Sequence, residues 1–156
     1  MKKLLLAAIV SLTTISSVAL AEVKVGLILG FTGPIETLTP AMRDSAKLAF
    51  AEVSASGALL GGETITPLIG DSTCVDSDAA VAAAELIINE GAVAIMGADC
   101  SGVTGAIATN VAVPNGVTMV SPSATSPGLT SLADNGLFSV LHHQTLKVVK
   151  CLHKLH

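Results

Sequence analysis

The stretch that most constrains this chain is residues 92–105, AVAIMGADCSGVTG. A short apolar run, 92–96, has the length and composition of a buried parallel strand. It breaks at Gly97, turns through Ala98, Asp99 and Cys100, and restarts at Ser101 and Gly102 as a helix. Val103, Ile107 and Val111 fall on one face of that helix. A strand, a tight turn and a hydroxyl residue opening a helix form a ready anion site. The first N–H groups of such a helix have no partner inside it, and its dipole favours negative charge there. From these residues alone a second reading stands beside it, in which Ser101 only caps the helix.

The flanking segments repeat the alternation. Residues 23–29, VKVGLIL, read as a first strand, and Gly30-Phe31-Thr32-Gly33-Pro34 as a turn-rich loop. Thr39 is a good N-cap with Pro40 at the first helical position. Met42, Ala46, Ala49, Phe50 and Val53 recur at helical spacing, which predicts a helix laying that face on the sheet and stopping near Ser56 and Gly57. Gly61 and Gly62 turn into a second strand, 64–69, where Pro67 argues for an edge position. After a polar loop, 70–74, Asp76 or Ser77 caps a second helix whose apolar residues are Val81, Ala84, Leu86, Ile87 and Ile88, and Gly91 ends it. The helix opened by Ser101 ends before Pro114. Asn115-Gly116 turns into a fourth strand, 117–120, and a hydroxyl-rich loop, 121–128, follows.

This order, βαβαβαβ, specifies an α/β fold with a doubly wound parallel sheet and right-handed crossovers. Ligands in such sheets sit beyond the carboxyl ends of the strands, near the point where strand order reverses. For a strand order 2-1-3-4 that point lies between the first and third strands. Loops 32–34 and 100–101 meet there, and 123–125 is next door. Small, uncharged, hydroxyl-bearing residues therefore crowd one rim of the sheet.

The 156 residues are one domain's worth of chain. Three Phe, no Trp or Tyr, no basic cluster and a net charge of −4 leave out the footprint of a nucleic-acid binder. At the N-terminus, Lys2 and Lys3 precede an apolar core from Leu4 to Leu20, and Ala19-Leu20-Ala21 fits a secretory cleavage site. Ser11, Thr13, Thr14, Ser16 and Ser17 make this segment too polar for a comfortable membrane span. Residues 1–21 are therefore read as a signal peptide cut after Ala21, leaving Glu22 first in an exported chain. In an oxidising compartment two of Cys74, Cys100 and Cys151 can pair.

Enzyme signatures fail one by one. Gly30 and Gly33 lack dinucleotide-fingerprint spacing, and no nucleotide P-loop occurs. Asp99 and Val103 stand where a nucleophile elbow around Ser101 needs glycines. His142, His143, His153 and His156 all lie in the final stretch, so the folded part has no histidine base. Asp71, Asp76 and Asp78 lack the glutamate a calcium loop requires, and are read as solvating a loop and capping a helix. The residues argue for a binding site, with no catalytic residue, metal or cofactor.

Four stretches, VKVGLILGFTGPI, GDSTC, IMGADCSGVTGA and TMVSPSATSPGLT, resemble the periplasmic leucine/isoleucine/valine-binding proteins of branched-chain amino acid ABC transporters. These are type I solute-binding proteins of two lobes that close over the ligand by hinge motion. The resemblance covers about 22–138 and implies the N-terminal lobe of a periplasmic receptor for branched-chain or other small amino acids, truncated after one lobe. Its implied partners are that ligand and a membrane permease. It maps ligand α-carboxylate binding to Ser101, contacts with carboxylate and ammonium to Thr125, and a carbonyl for the ammonium to Ser123, with Ala124 in the same P-x-A-T loop. Hydroxyl and N–H donors suit the anion, and a carbonyl with a hydroxyl suits the ammonium. Leu38 stands where the family usually brings an aromatic over the ligand. Cys74 and Cys100 match family cysteines that form a disulfide. The acidic partner of the ammonium comes from the second lobe in this family. Two alternatives carry other functions: a receptor's ligand-sensing domain on the same fold, and an inactive gene fragment.

Residues 139–156, SVLHHQTLKVVKCLHKLH, change character. A reading frame slipped near Ser139 explains them. With the last base of the Leu141 codon starting a new triplet, the shifted frame can read APSDAxGGEVLAQI, which resembles the family's next segment. The tail is therefore expected to be out of frame and poorly packed, with no role for its histidines or Cys151.

Overall fold

Three consecutive fully buried side chains, Leu27, Ile28 and Leu29, make β1 (Glu22–Leu29) a central strand covered on both faces. Successive strand residues leave opposite faces. Leu27 and Leu29 accordingly join Ala46, Phe31, Met42 and Met96 on one side. Ile28 joins a larger cluster on the other, with Ala84, Ile87, Ile95, Val103, Ile107 and Met119 among its members. The computed structural model describes residues 22–59, 61–133 and 136–140.

The elements follow as α1 (Thr39–Ser56), β2 (Thr64–Asp71), α2 (Ser77–Asn89), β3 (Ala94–Gly97), α3 (Ser101–Ile107), β4 (Thr118–Ser121) and β5 (Phe138–Val140). A π turn, Ala108–Ala112, continues α3, and a 3-10 turn, Pro127–Ser131, precedes β5. All paired strands are parallel, in the order β2-β1-β3-β4-β5. The expected order is extended by one strand, and Pro67 sits on the edge strand β2 as its missing N–H requires. Moving from β1 out to β2 and then back past β1 to β3 reverses direction. Right-handed crossovers then place α1 and α2 on opposite faces.

The faces are covered unequally. Ile87 of α2 comes so close to β1 and β2 that a Cβ on Gly26 would stand 2.8 Å from it and one on Gly70 2.7 Å. On the opposite face α1 does not bury the stripe its spacing predicts. Of Met42, Ala46, Ala49, Phe50 and Val53, only Ala46 is buried, while Ala49 and Val53 are exposed and Leu48 is 61% exposed. Helical spacing fixes which residues share a face, but burial needs neighbours, and among the described residues α1 has no flanking helix on its side of the sheet. Thr39 is the first helical residue of α1, not its cap. Leu38 is the cap position and makes no side-chain cap bond, and the Thr39 hydroxyl instead donates to the carbonyls of Gly30 and Glu36.

Asp76 rather than Ser77 caps α2, accepting from the N–H groups of Asp78 and Ala79. The described chain carries β5 through Ser139 and Val140, which pair with Val120 and Ser121, so the strand crosses the boundary expected after Phe138. Residues 1–21, expected to be a signal peptide, and residues 141–156, with His142, His143, Cys151, His153 and His156, lie outside the described residues. No described helix is long and apolar enough to cross a membrane.

Candidate functional site

Parallel register brings the carboxyl ends of the strands together. Leu29 pairs with Asp71, Ile28 with Gly97, and Met96 with Val120, so the loops after β1 to β4 leave one rim side by side. Gly97 makes the sharp exit from β3. Its φ is +140°, and a Cβ there would stand 2.0 Å from the Ile28 carbonyl oxygen, so no other residue fits.

Two carboxylates hold the loops. Asp71 Oδ1 accepts the N–H groups of Phe31, Thr32 and Thr73, and Oδ2 accepts the Thr32 hydroxyl at 2.6 Å. Partial burial pushes the Asp71 carboxyl up. The hydroxyl of Thr32 and the N–H groups of Thr73, Thr32 and Phe31 outweigh it and hold the group below the usual carboxylate range. Asp71 therefore clamps two loops together, where the sequence suggested a solvated loop residue. Asp99, 5% exposed, accepts from Gly30 N–H at 2.8 Å, Cys100 N–H at 2.9 Å and the Ser72 hydroxyl at 3.3 Å. Beside it Cys74 and Cys100 form a disulfide with Cα atoms 5.2 Å apart. Thr73 and Cys74 both sit at positive φ, a conformation costly for a β-branched residue, which the Asp71 bond and the disulfide hold.

Ser101 is the first residue of α3 and does not cap it. The cap position is Cys100, which makes no side-chain cap bond. The Ser101 hydroxyl oxygen accepts the N–H groups of Thr125 and Ser126, each at 3.0 Å. Two N–H groups on its lone pairs leave the hydroxyl only its proton to offer, which makes it a donor toward the rim. The first bond inside α3 runs from Thr104 N–H to the Cys100 carbonyl. The N–H groups of Ser101, Gly102 and Val103 thus have no acceptor within the helix.

The loop after β4 is fastened from behind. The Ser121 hydroxyl donates to the Ala98 carbonyl and accepts Ala124 N–H. The Ser123 hydroxyl donates to the Asp99 carbonyl at 3.0 Å. Thr125 is exposed, and its hydroxyl is unengaged among the described residues. Ala124, expected with the site, is buried in the main core with its N–H held by Ser121. It shapes the loop from inside and presents no side chain at the rim. Leu38 is 63% exposed at the head of α1. Ser101, Ser123 and Thr125 are therefore drawn together, and Leu38 lies on the loop after β1. An open apolar groove of about 460 Å³ lies against α1, lined by Ala41, Met42, Ser45, Ala46, Met96 and Pro122. Among the described residues no three His, Cys, Asp or Glu side chains gather where a metal could sit.

The rim thus offers hydroxyl and N–H donors, an arrangement suited to a small anion such as a carboxylate. Sequence reasoning passed over Asp71 and Asp99 as site-forming residues. Their one signal was position, each standing at or just after a strand's carboxyl end.

A family profile described as periplasmic binding protein matches residues 22–150. The chain is 32% identical over 139 residues to the Leu/Ile/Val-binding protein BraC3 of Rhizobium johnstonii, covering 89% of this chain and 36% of that protein. It is 33% identical over 115 residues to the leucine-, isoleucine-, valine-, threonine- and alanine-binding protein of Pseudomonas aeruginosa, covering 74% and 30%. Among solved structures it is similar to the branched-chain amino acid transporter substrate binding protein LivJ from Streptococcus pneumoniae in complex with isoleucine. That match has a TM-score of 0.67 at 28% identity and covers 76% of this chain and 33% of that one. The chain spans about a third of the length of the curated relatives it matches.

Proposed function

Because this chain belongs to the periplasmic binding protein family, we propose that it is the N-terminal lobe of an exported amino-acid receptor that delivers its ligand to a membrane permease. The observation that carries the reading is the convergence at one rim of a donor-only Ser101 hydroxyl, the N–H groups opening α3 and the Thr125 hydroxyl, unengaged among the described residues. The ligand α-carboxylate takes the Ser101 proton and the helix N–H groups. Thr125 reaches both carboxylate and ammonium, and the Ser123 carbonyl faces the ammonium. Leu38 bounds the ligand side chain, small and apolar. Names of relatives that bind leucine, isoleucine and valine support that ligand class. Export through residues 1–21 places the work in the periplasm, and handing on the ligand requires no catalysis.

A rim of one lobe supplies about half of a closed site, so binding by this chain is weak. Calorimetric titration of the full chain with L-leucine, L-isoleucine and L-valine tests the reading. Expected is binding weaker than about micromolar, lost in Ser101→Ala. Micromolar or tighter binding, or binding that Ser101→Ala leaves intact, would overturn it.

A further inference from the structure

Asp99 is buried, carries a carboxylate, and makes no ion pair among the described residues. A charge in such a place is tolerated only when donors satisfy it. The donors come from three separate loops: Gly30 N–H after β1, the Ser72 hydroxyl after β2, and Cys100 N–H after β3. The fourth loop, after β4, is tied to the same residue through its main chain, since the Ser123 hydroxyl donates to the Asp99 carbonyl. One residue is thus the common acceptor for all four rim loops. Its neighbour Cys100 leads directly into Ser101, whose hydroxyl holds Thr125 and Ser126.

We propose that Asp99 is the positioning residue of the ligand site, fixing Ser101 relative to the 123–126 loop without touching ligand. The inference rests on the functional reading above for its consequence in binding, but its geometric part stands without it. Asp71 supplies the contrast. It is the other rim carboxylate and clamps 31–32 to Thr73, yet among the described residues no bond ties it to the loop after β4. Replacing either residue by Asn removes one acceptor oxygen from a clamp. Only Asp99 should transmit that loss to Thr125 and Ser126.

The side-chain chemistry defines the variant. In Asp99→Asn one oxygen becomes an NH2 group, so it must face either Gly30 N–H or Cys100 N–H, donor against donor. One of the two bonds is lost while shape and volume are kept. Backbone amide spectra of the full oxidised chain are then recorded for wild type, Asp99→Asn and Asp71→Asn, and L-leucine affinity is measured for each. Expected in Asp99→Asn are displaced resonances at Gly30, Cys100, Thr125 and Ser126, and leucine binding weakened by about tenfold. Expected in Asp71→Asn are displacements at Thr32 and Thr73, with Thr125 and Ser126 in place. Unmoved Thr125 and Ser126 resonances in folded Asp99→Asn would overturn the proposal, as would equal displacement in both variants. If wild type fails to bind leucine, the functional reading falls, and the amide comparison still decides the role of Asp99. Should Asp99→Asn not fold, Ser123→Ala, which cuts only the main-chain tie, must displace Thr125 and Ser126 for the proposal to stand.

Discussion

Asp71 gives the rim a pH dependence whose sign follows from its bonds. Its carboxyl is held below the ordinary carboxylate range, partial burial being outweighed by the donors from Thr32, Thr73 and Phe31. A lowered folded value contributes stability that is present above the unfolded value and is lost as pH falls through the folded one. The window is therefore acidic, below about pH 4. Asp71→Asn keeps one acceptor oxygen, loses the charge and turns the other oxygen into an NH2 group, best placed against the Thr32 hydroxyl. Melting temperatures of wild type and Asp71→Asn should differ at neutral pH and converge in acid; a gap constant across that range would contradict the clamp. Gly97→Ala is the sharpest test of backbone geometry. The added Cβ meets the Ile28 carbonyl at 2.0 Å at a φ of +140°. A loss on the order of 3 kcal/mol or more is expected, read by chemical denaturation. At this scale the sequence was legible where residue type carries its own reason, as with the break at Gly97, and it narrowed the α2 cap to Asp76 or Ser77. It read Asp71 as a solvated loop residue, and it was silent on the roles of Asp99 and the Ser121 hydroxyl. Their partners come from other loops, and only the assembled sheet brings them together.

Among the elements, the strand–turn–helix at β3 and α3 was the most readable, because an apolar run, a glycine break and a hydroxyl residue follow in immediate succession. The role of Ser101 was not readable in the same way. A helix-opening serine commonly caps, and only the neighbouring 125–126 backbone reveals it as a bridge between loops. Ser101→Ala should leave both N–H groups without that acceptor, costing about 1 kcal/mol. The 125–126 amides should then exchange faster with solvent than in wild type; unchanged exchange would contradict the bridge. The disulfide joins β2's loop to the start of α3 across a separation of 26 residues. Replacing both Cys74 and Cys100 by Ala should lower the denaturation free energy by about 3 kcal/mol through the freed unfolded chain. An unshifted urea midpoint would contradict it. The π turn, Ala108–Ala112, had no sequence signal. The exposed face of α1 defied its spacing because packing depends on what lies opposite, not on periodicity alone.

For the molecule as a whole, alternating strands and helices pointed to a parallel doubly wound sheet, and the order 2-1-3-4 matched its first four positions, while the added strand β5 was not foreseen. They also located the rim where the loops meet. In the proposed function this rim takes the two charged ends of an amino acid. An amide chemical-shift map of the folded chain during L-leucine titration tests it most directly. Displacements centred on Ser101, Gly102, Val103, Thr125 and Ser126 are expected, saturating only with an affinity weaker than about micromolar. No response at those amides, or a response confined to the groove lined by Met42, Ala46 and Met96, would contradict it.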